Sequence, residues 1–180
     1  MPDAHEPDSP QPRDVFRHYV GDVVYGANDG VITTFAIVSG VAGADLSAGV
    51  VLILGFANLL ADGFSMGASN YLSIRSTAAA EGMDRGIREP LLHAAATMAA
   101  FVVAGFVPLL AYLLPMGQRV FLASSVMSAV VLFGVGASRS AVMPRSWLRC
   151  GLEMLVVGAV AGAAAFGAGR LLARWVGPLV

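Results

Sequence analysis

The stretch AGVVLILGFANLLADGFSMGASNYL, residues 48–72, decides the fold class. An apolar helix of about 20 residues crosses the roughly 30 Å hydrocarbon core of a bilayer, and here Asp62 is the single charged side chain in a run of that length. Asn58, Asp62, Met66 and Asn70 recur every four residues, so on a helix they form one stripe. Polar side chains are unfavourable in contact with lipid, so we expect this stripe to face protein, water or an ion.

Four other stretches are long and apolar enough to cross a bilayer in the same way. Together with residues 48–72 they predict an all-α integral membrane protein with five transmembrane helices, at about 23–44, 48–72, 91–114, 119–140 and 150–172. The composition agrees, because only 13% of the residues are charged against about 25% in an average soluble domain. The first helix is the least obvious, since Asn28 and Asp29 interrupt it.

The ends of the chain and its arginines give the domain limits and the orientation. Residues 1–18 are rich in proline and acid, without the apolar core of a signal peptide; we predict a disordered tail there and a membrane domain over 19–180. Eight of the arginines lie in the tail, in the loop after the second helix and in the loop before the fifth, and three lie on the other side. The positive-inside rule then predicts a cytoplasmic N-terminus and a C-terminus that is outside or lumenal. A net charge of -1 argues against a nucleic-acid partner.

Two carboxylates inside the predicted helices are the candidate functional groups. A charged side chain at membrane level costs at least about 2.5–3.5 kcal/mol, so it marks a functional site by default. If the first two helices form a hairpin, Asp29 and Met66 lie within about one helical turn of the same depth. Carboxylate and thioether ligands together suit a transition metal better than Mg²⁺ or Ca²⁺. The alternatives are that Asp29 and Asp62 cross-link helices through hydrogen bonds and that Met66 is a packing residue.

Two further patterns have ordinary structural explanations. The segment Gly63-Phe64-Ser65-Met66-Gly67 matches a serine-hydrolase elbow, but that elbow requires a strand–turn–helix context, so we predict no enzyme. The glycine pairs at 26/30, 63/67 and 158/162 have the spacing that lets membrane helices approach closely, either within one protomer or between two. Near the start of the fifth helix, Glu153 is expected to interact with a loop arginine or a helix N-terminus.

The same residues carry a family resemblance. The segments YGANDGVITTFAIVSGVAGA (25–44) and LGFANLLADGFSMGASNYLSIRS (54–76) closely resemble the first two helices of the vacuolar iron transporter family, and GFVPLLAYLLP (105–115) and GLEMLVVGAVAG (151–162) resemble its third and fifth helices. The resemblance implies a five-helix homodimer that exchanges cytosolic Fe²⁺ for protons along a pathway between the protomers. The family's acid in the first helix falls on Asp29, and its methionine in the second falls on Met66.

The chain also departs from the resemblance. Characterised members carry a long, glutamate-rich cytosolic insertion after the second helix, whereas this chain has a short loop in which Glu81, Asp84 and Glu89 are the candidate metal-attracting residues. In this it resembles the shorter, nodulin-like branch. A glutamate that some members carry eight residues before the methionine is replaced by Asn58.

These observations lead to one functional expectation and one alternative. We expect a transporter of divalent metal, Fe²⁺ or Mn²⁺, that exports it from the cytosol in exchange for protons, with metal ligands Asp29, Met66, Asp62 and Asn58. Asp29 and Asp62 would also couple the protons, and no permanently bound cofactor is expected. The alternative is a non-transporting membrane metal sensor or interaction subunit. The localisation follows from composition. All Lys and Arg positions of this chain are arginine, and Ala, Gly and Val are frequent, which suggests a bacterial protein of the inner membrane. A eukaryotic protein of this kind would reside in a vacuolar-type membrane.

Overall fold

The computed structural model describes residues 12–83, 86–141 and 144–177, the side chains of 12–17 excepted. Over these residues the chain forms five α-helices: α1 (Pro12–Gly43), α2 (Ala48–Ala80), α3 (Arg88–Leu113), α4 (Val120–Ser138) and α5 (Trp147–Val176). Short 3₁₀ turns, Gly117–Arg119 and Arg139–Ala141, flank α4. No β-strand occurs in these ranges, so the all-α prediction is confirmed for them.

Four of the helices have the length and apolar character of membrane spans. They are α2, α3, α4 with its flanking turns, and α5, which confirms a helical membrane protein for the described ranges. The helix α1 is not among the four, and Asn28 and Asp29 lie in its apolar part. It contacts each of the other helices, and Val31 and Val38 on it are completely buried. Because protein surrounds so much of α1, this helix can be less apolar than its neighbours.

The helix ends differ from the predicted ones mainly on one side of the bundle. The first helix begins at Pro12, so residues 12–18, which we assigned to the tail, are helical, and residues 1–11 lie outside the described ranges. The second helix continues to Ala80 rather than 72. Hydropathy locates the part of a helix that lies in lipid, whereas the run of alanines at 78–80 has the highest helix propensity and extends α2 beyond that part.

Glycines set the distance between α1 and α3. A Cβ atom at Gly26 would collide with the backbone carbonyl of Thr97, and one at Gly30 would collide with that of Phe101. The two helices therefore run parallel in direct backbone contact, as small residues four apart permit. The other two predicted pairs also face neighbours in the same chain: Gly63 and Gly67 face α3, Gly158 faces α4, and Gly162 faces α1. All three pairs thus pack within one protomer.

The helix directions place most of the described arginines at one end of the bundle. Contacts of Gly40 with Gly169 and of Gly30 with Phe101 show that α1, α3 and α5 run parallel, and short connections return α2 and α4 in the opposite direction. The end where α1, α3 and α5 begin, called here the basic end, carries Arg75, Arg88, Arg139, Arg145 and Arg149.

At the basic end, Glu153 on α5 is paired with arginine. Its Oε1 atom lies 3.4 Å from Nη1 of Arg145, and its Oε2 atom lies 4.0 Å from Nη1 of Arg139. The expected contact between Glu153 and a loop arginine is therefore present.

Candidate metal centre

Two carboxylates on neighbouring helices form the centre of the candidate site. Nδ2 of Asn58 on α2 lies 3.5 Å from Oγ1 of Thr33 on α1, and Thr33 Oγ1 donates to the carbonyl oxygen of Asp29, 2.8 Å away. In the antiparallel register set by this contact, Asp62 lies opposite Asp29 one turn nearer the basic end. Both side chains are half-buried. The hairpin of α1 and α2 thus brings together Asp29, Asp62 and Asn58, three of the four predicted ligands.

Met66 lies in a groove one turn away from this pair. The groove has a volume of about 300 Å³ and is lined by Tyr25, Ser65, Met66, Ser69, Asn70 and Ser73. In the register set by the contact between Thr33 and Asn58, Asp62 lies opposite Asp29, and Met66 lies one turn, about 6 Å, nearer the basic end. Met66 also packs against the buried core. In this register the residue of α2 opposite Asp29 is therefore a second carboxylate rather than the methionine.

One further turn toward the basic end, a hydrogen-bond network ties three helices together. Nδ2 of Asn70 on α2 donates to Oδ1 of Asp22 on α1 and to Oγ1 of Thr97 on α3, each at 2.7 Å. Thr97 is completely buried, and its hydroxyl donates in turn to the carbonyl oxygen of His93, 3.0 Å away. Asn70 belongs to the predicted stripe, and the structure gives it a role in fixing α1, α2 and α3 relative to one another.

The three loop acids have different surroundings. Glu81 follows the last residue of α2 and is exposed, Asp84 lies outside the described ranges, and Glu89 is half-buried in the first turn of α3. Glu89 is grouped with His18 and His93, whose potential ligand atoms all lie within 4.8 Å of one another. Our sequence interpretation did not connect the two histidines. The available signal was their spacing, since His18 lies one helical turn before Asp22 and His93 one turn before Thr97.

Taken together, the side chains at membrane level could bind a divalent cation. Two carboxylates supply charge, Asn58 supplies an amide oxygen, and Met66 offers a soft sulfur nearby. Oxygen ligands alone suit Mg²⁺, Ca²⁺ and Mn²⁺, and thioether shifts the preference toward softer metals. The weak, mixed character of the set permits release as well as binding.

Comparison with known proteins gives a consistent result over nearly the whole chain. The sequence profile of the VIT family matches residues 20–88 and 78–170. The Vacuolar iron transporter 1 of Arabidopsis thaliana is 27% identical over 82% of this chain and 83% of its own length. The Vacuolar iron transporter homolog 5 of Oryza sativa subsp. japonica is 32% identical over 66% of each chain. The Vacuolar iron transporter of Toxoplasma gondii is 56% identical over 55 residues, which is 31% of this chain and 18% of that protein.

The alignments also locate a difference in length. The alignment with the Arabidopsis protein extends over 208 positions, which is more than the 180 residues of this chain. The plant protein therefore has residues without a counterpart here. The two profile matches meet at residues 78–88, where α2 ends and α3 begins. The profile matches, which cover α2 to α5 up to residue 170 and α1 from residue 20, establish that the chain belongs to the VIT family.

Proposed function

We propose that this protein transports a divalent metal ion across a membrane, with Fe²⁺ as the first candidate and Mn²⁺ as the second. The observation that carries the proposal is the pairing of Asp29 on α1 with Asp62 on α2, two half-buried carboxylates at the level of the apolar core. The names of the relatives, all described as iron transporters or homologues of one, support the same conclusion.

The carboxylate pair gives a physical basis for proton exchange. Two carboxylates that share a site repel each other, and either a bound proton or a bound cation relieves the repulsion. Metal and protons therefore compete for Asp29 and Asp62, so a proton gradient can drive metal release on the acidic side of the membrane. Asn58 and Met66 complete the set on either side of Asp62 along α2, and the thioether of Met66 shifts its preference away from the harder Mg²⁺.

The arginines support an orientation of the protein in the membrane, and with it a direction of transport. With the basic end in the cytoplasm, as the positive-inside rule favours, the N-terminus is cytoplasmic, α1 is the fifth membrane span, and the C-terminus is outside or lumenal. The groove of Tyr25 and Met66 lies between the basic end and the carboxylate pair, so metal would enter from the cytosol. Export would occur across a bacterial inner membrane or into a vacuole-like compartment.

A second copy of the chain is the proposed partner at the site. Tyr25, Ser65, Ser69 and Ser73 are exposed in the single protomer, next to the half-buried Asp62. Lipid would leave these polar groups without hydrogen-bond partners, at a cost of several kcal/mol each by order of magnitude. A two-fold homodimer through this face would cover them and bring two Asp29–Asp62 pairs together.

Transport into proteoliposomes tests the proposal. Purified protein is reconstituted with an acidic lumen, and uptake of Fe²⁺ and Mn²⁺ from a neutral exterior is measured as an initial rate. Wild-type protein should take up metal faster with the proton gradient than without it. Asp29→Asn should reduce uptake to the rate of empty liposomes. Asp62→Asn should reduce it by about tenfold or more, since losing about 1.4 kcal/mol of binding is a factor of ten.

Asp45→Asn is the matched control. Asp45 is an exposed carboxylate in the α1–α2 turn, at φ 58, a left-handed conformation that asparagine also adopts. This variant should transport at the wild-type rate. Normal proton-coupled uptake by Asp29→Asn would overturn the proposed site. Metal binding by the wild-type protein without any uptake would instead favour a membrane metal sensor.

A further inference from the structure

A cluster of potential metal ligands lies at the basic end, separate from the Asp29–Asp62 pair. His18 projects from α1, and Glu89 and His93 lie four residues apart on α3, so they share one face of that helix. One ligand atom from each of the three lies within 4.8 Å of the others. The Nε2 atoms of the two histidines are 3.0 Å apart.

A carboxylate behind His93 fixes the orientation of its ring. Oδ2 of Asp22 lies 2.5 Å from Nδ1 of His93. Because a carboxylate oxygen accepts, Nδ1 carries the hydrogen in the neutral ring, and Nε2 presents a lone pair toward His18. Metal-binding histidines nearly always have such a partner on the second nitrogen. The side chains of His93 and Asp22 are only 12% and 16% exposed, and Asn70 holds the other oxygen of Asp22.

The distances and the ligand types fit a transition metal. Metal–nitrogen bonds of about 2.0–2.1 Å place two nitrogens on one ion roughly 3.0–3.4 Å apart, which matches the separation of the two Nε2 atoms. Two imidazoles together with one carboxylate are typical ligands of Fe²⁺, Mn²⁺, Co²⁺ or Zn²⁺, whereas imidazole is a poor ligand for Mg²⁺ or Ca²⁺. A hydrogen bond between the two histidines would also explain the 3.0 Å distance, so the test must distinguish a pair of metal ligands from a hydrogen-bonded pair.

We propose that His18, Glu89 and His93 form a divalent transition-metal site at the basic end of the bundle. Its role rests on the proposed function: His18, Asp22 and Asp29 lie on one face of α1, and the cluster sits about 16 Å along the helix from Asp29. The groove of Tyr25 and Met66 lies between them. The site captures metal from the cytosolic side and delivers it to Asp29 and Asp62. The α2–α3 connection of this chain is short, so the cluster at the basic end takes the place of a longer metal-collecting loop.

Metal binding to the purified protein tests the site without requiring transport. The full-length chain, purified in detergent without a histidine tag, is titrated with Co²⁺, whose visible absorption reports nitrogen ligation; bound metal is counted by equilibrium dialysis. His18→Gln and His93→Gln should abolish the nitrogen-dependent absorption and weaken binding at one Co²⁺ per protomer by at least about tenfold. Glu89→Gln should weaken the same site while the protein stays folded, because Glu89 lies near the surface.

Matched variants separate this site from the membrane pair. The remaining histidine, His5, serves as the control, and His5→Gln should bind Co²⁺ as the wild type does. Asp29→Asn with Asp62→Asn should abolish transport and keep the nitrogen-dependent absorption, so the two proposals can fail independently. Unchanged Co²⁺ absorption and affinity in both His18→Gln and His93→Gln would overturn the inference.

Discussion

Replacing Gly30 by alanine tests how the bundle positions its carboxylates. Gly30 follows Asp29 directly and lies against the backbone of Phe101 on α3, where an added Cβ would collide with the carbonyl oxygen and approach the carbonyl carbon and Cα. A flexible side chain could move aside, but backbone within a helix cannot. The substitution must therefore push α1 away from α3, and Asp29 moves with it.

General costs of overpacking, together with the atoms that surround Gly30, give the size of the effect. In a helix interior, alanine is favoured over glycine by about 0.5–1 kcal/mol, and overpacking a core costs about 1–3 kcal/mol. Because backbone atoms block the new Cβ, we expect the upper end of that cost and a net loss of about 2 kcal/mol. For a chain of this length that corresponds to a melting temperature lowered by about 4–8 °C. Gly134→Ala is the control, since no atom lies within 4 Å of a Cβ there.

Thermal unfolding in detergent, followed by circular dichroism, measures both variants. Gly134→Ala should match or slightly exceed the wild type, whereas Gly30→Ala should unfold earlier and transport metal more slowly. Equal melting temperatures for Gly30→Ala and Gly134→Ala would refute the packing argument.

Three other substitutions test separate parts of the molecule. Met66→Leu keeps the volume and removes the sulfur, so uptake of Co²⁺ relative to Mn²⁺ should fall by a few fold if the thioether contacts the ion. Ser69→Cys in a Cys150→Ser background should form a disulfide-linked dimer in membranes, because the exposed serine face is the proposed two-fold contact. Asn70→Leu removes the donor to Asp22 and Thr97 and should lower the free energy of unfolding by about 1.5–3 kcal/mol, the range for a hydrogen bond to a charged group.

Each of these three substitutions has a matched control variant elsewhere in the chain. Met98→Leu, in a half-buried methionine of α3, should leave metal preference unchanged. Val130→Cys, on the exposed face of α4, should not cross-link, and equal cross-linking at both positions would indicate random collision. Ser125→Ala, which removes a bond to the backbone of its own helix, should cost much less stability than Asn70→Leu.

The sequence predicted the helices better than their ends. Each of the five predicted stretches overlaps a described α-helix, and hydropathy is decisive for the four that have the apolar character of membrane spans, α1 being the exception. Hydropathy could not show that α1 extends back to Pro12 or α2 forward to Ala80. Beyond the bilayer, helix propensity and contacts between helices decide where a helix ends, and those contacts are not encoded in a hydropathy pattern.

The candidate site was likewise predicted in its residues but not in how they pair. Counting residues outward from the turn at Asp45 placed Asp29 and Met66 within a turn of each other, but it could not fix the register of two helices that lean against α3. The contact between Thr33 and Asn58 sets that register and pairs Asp29 with Asp62. Local spacing placed each histidine on a polar helix face but could not bring the two together, because His18 and His93 are 75 residues apart and meet only where α1 and α3 run parallel.

The polar side chains in the apolar part of α2 lie in the half nearer the basic end. From Asn70 through Asp62 to Asn58, α2 offers a polar group at every turn, while residues 48–57 carry no polar side chain. Opposite that apolar half, Val38 and Val41 of α1 pack with Val51 into the buried core. A cation at Asp62 therefore has polar neighbours toward the basic end and a hydrocarbon barrier toward the other. If the proposed function is right, a cation that leaves Asp62 away from the basic end has to cross this apolar half of the hairpin, and that step rather than binding needs a rearrangement of α1 and α2.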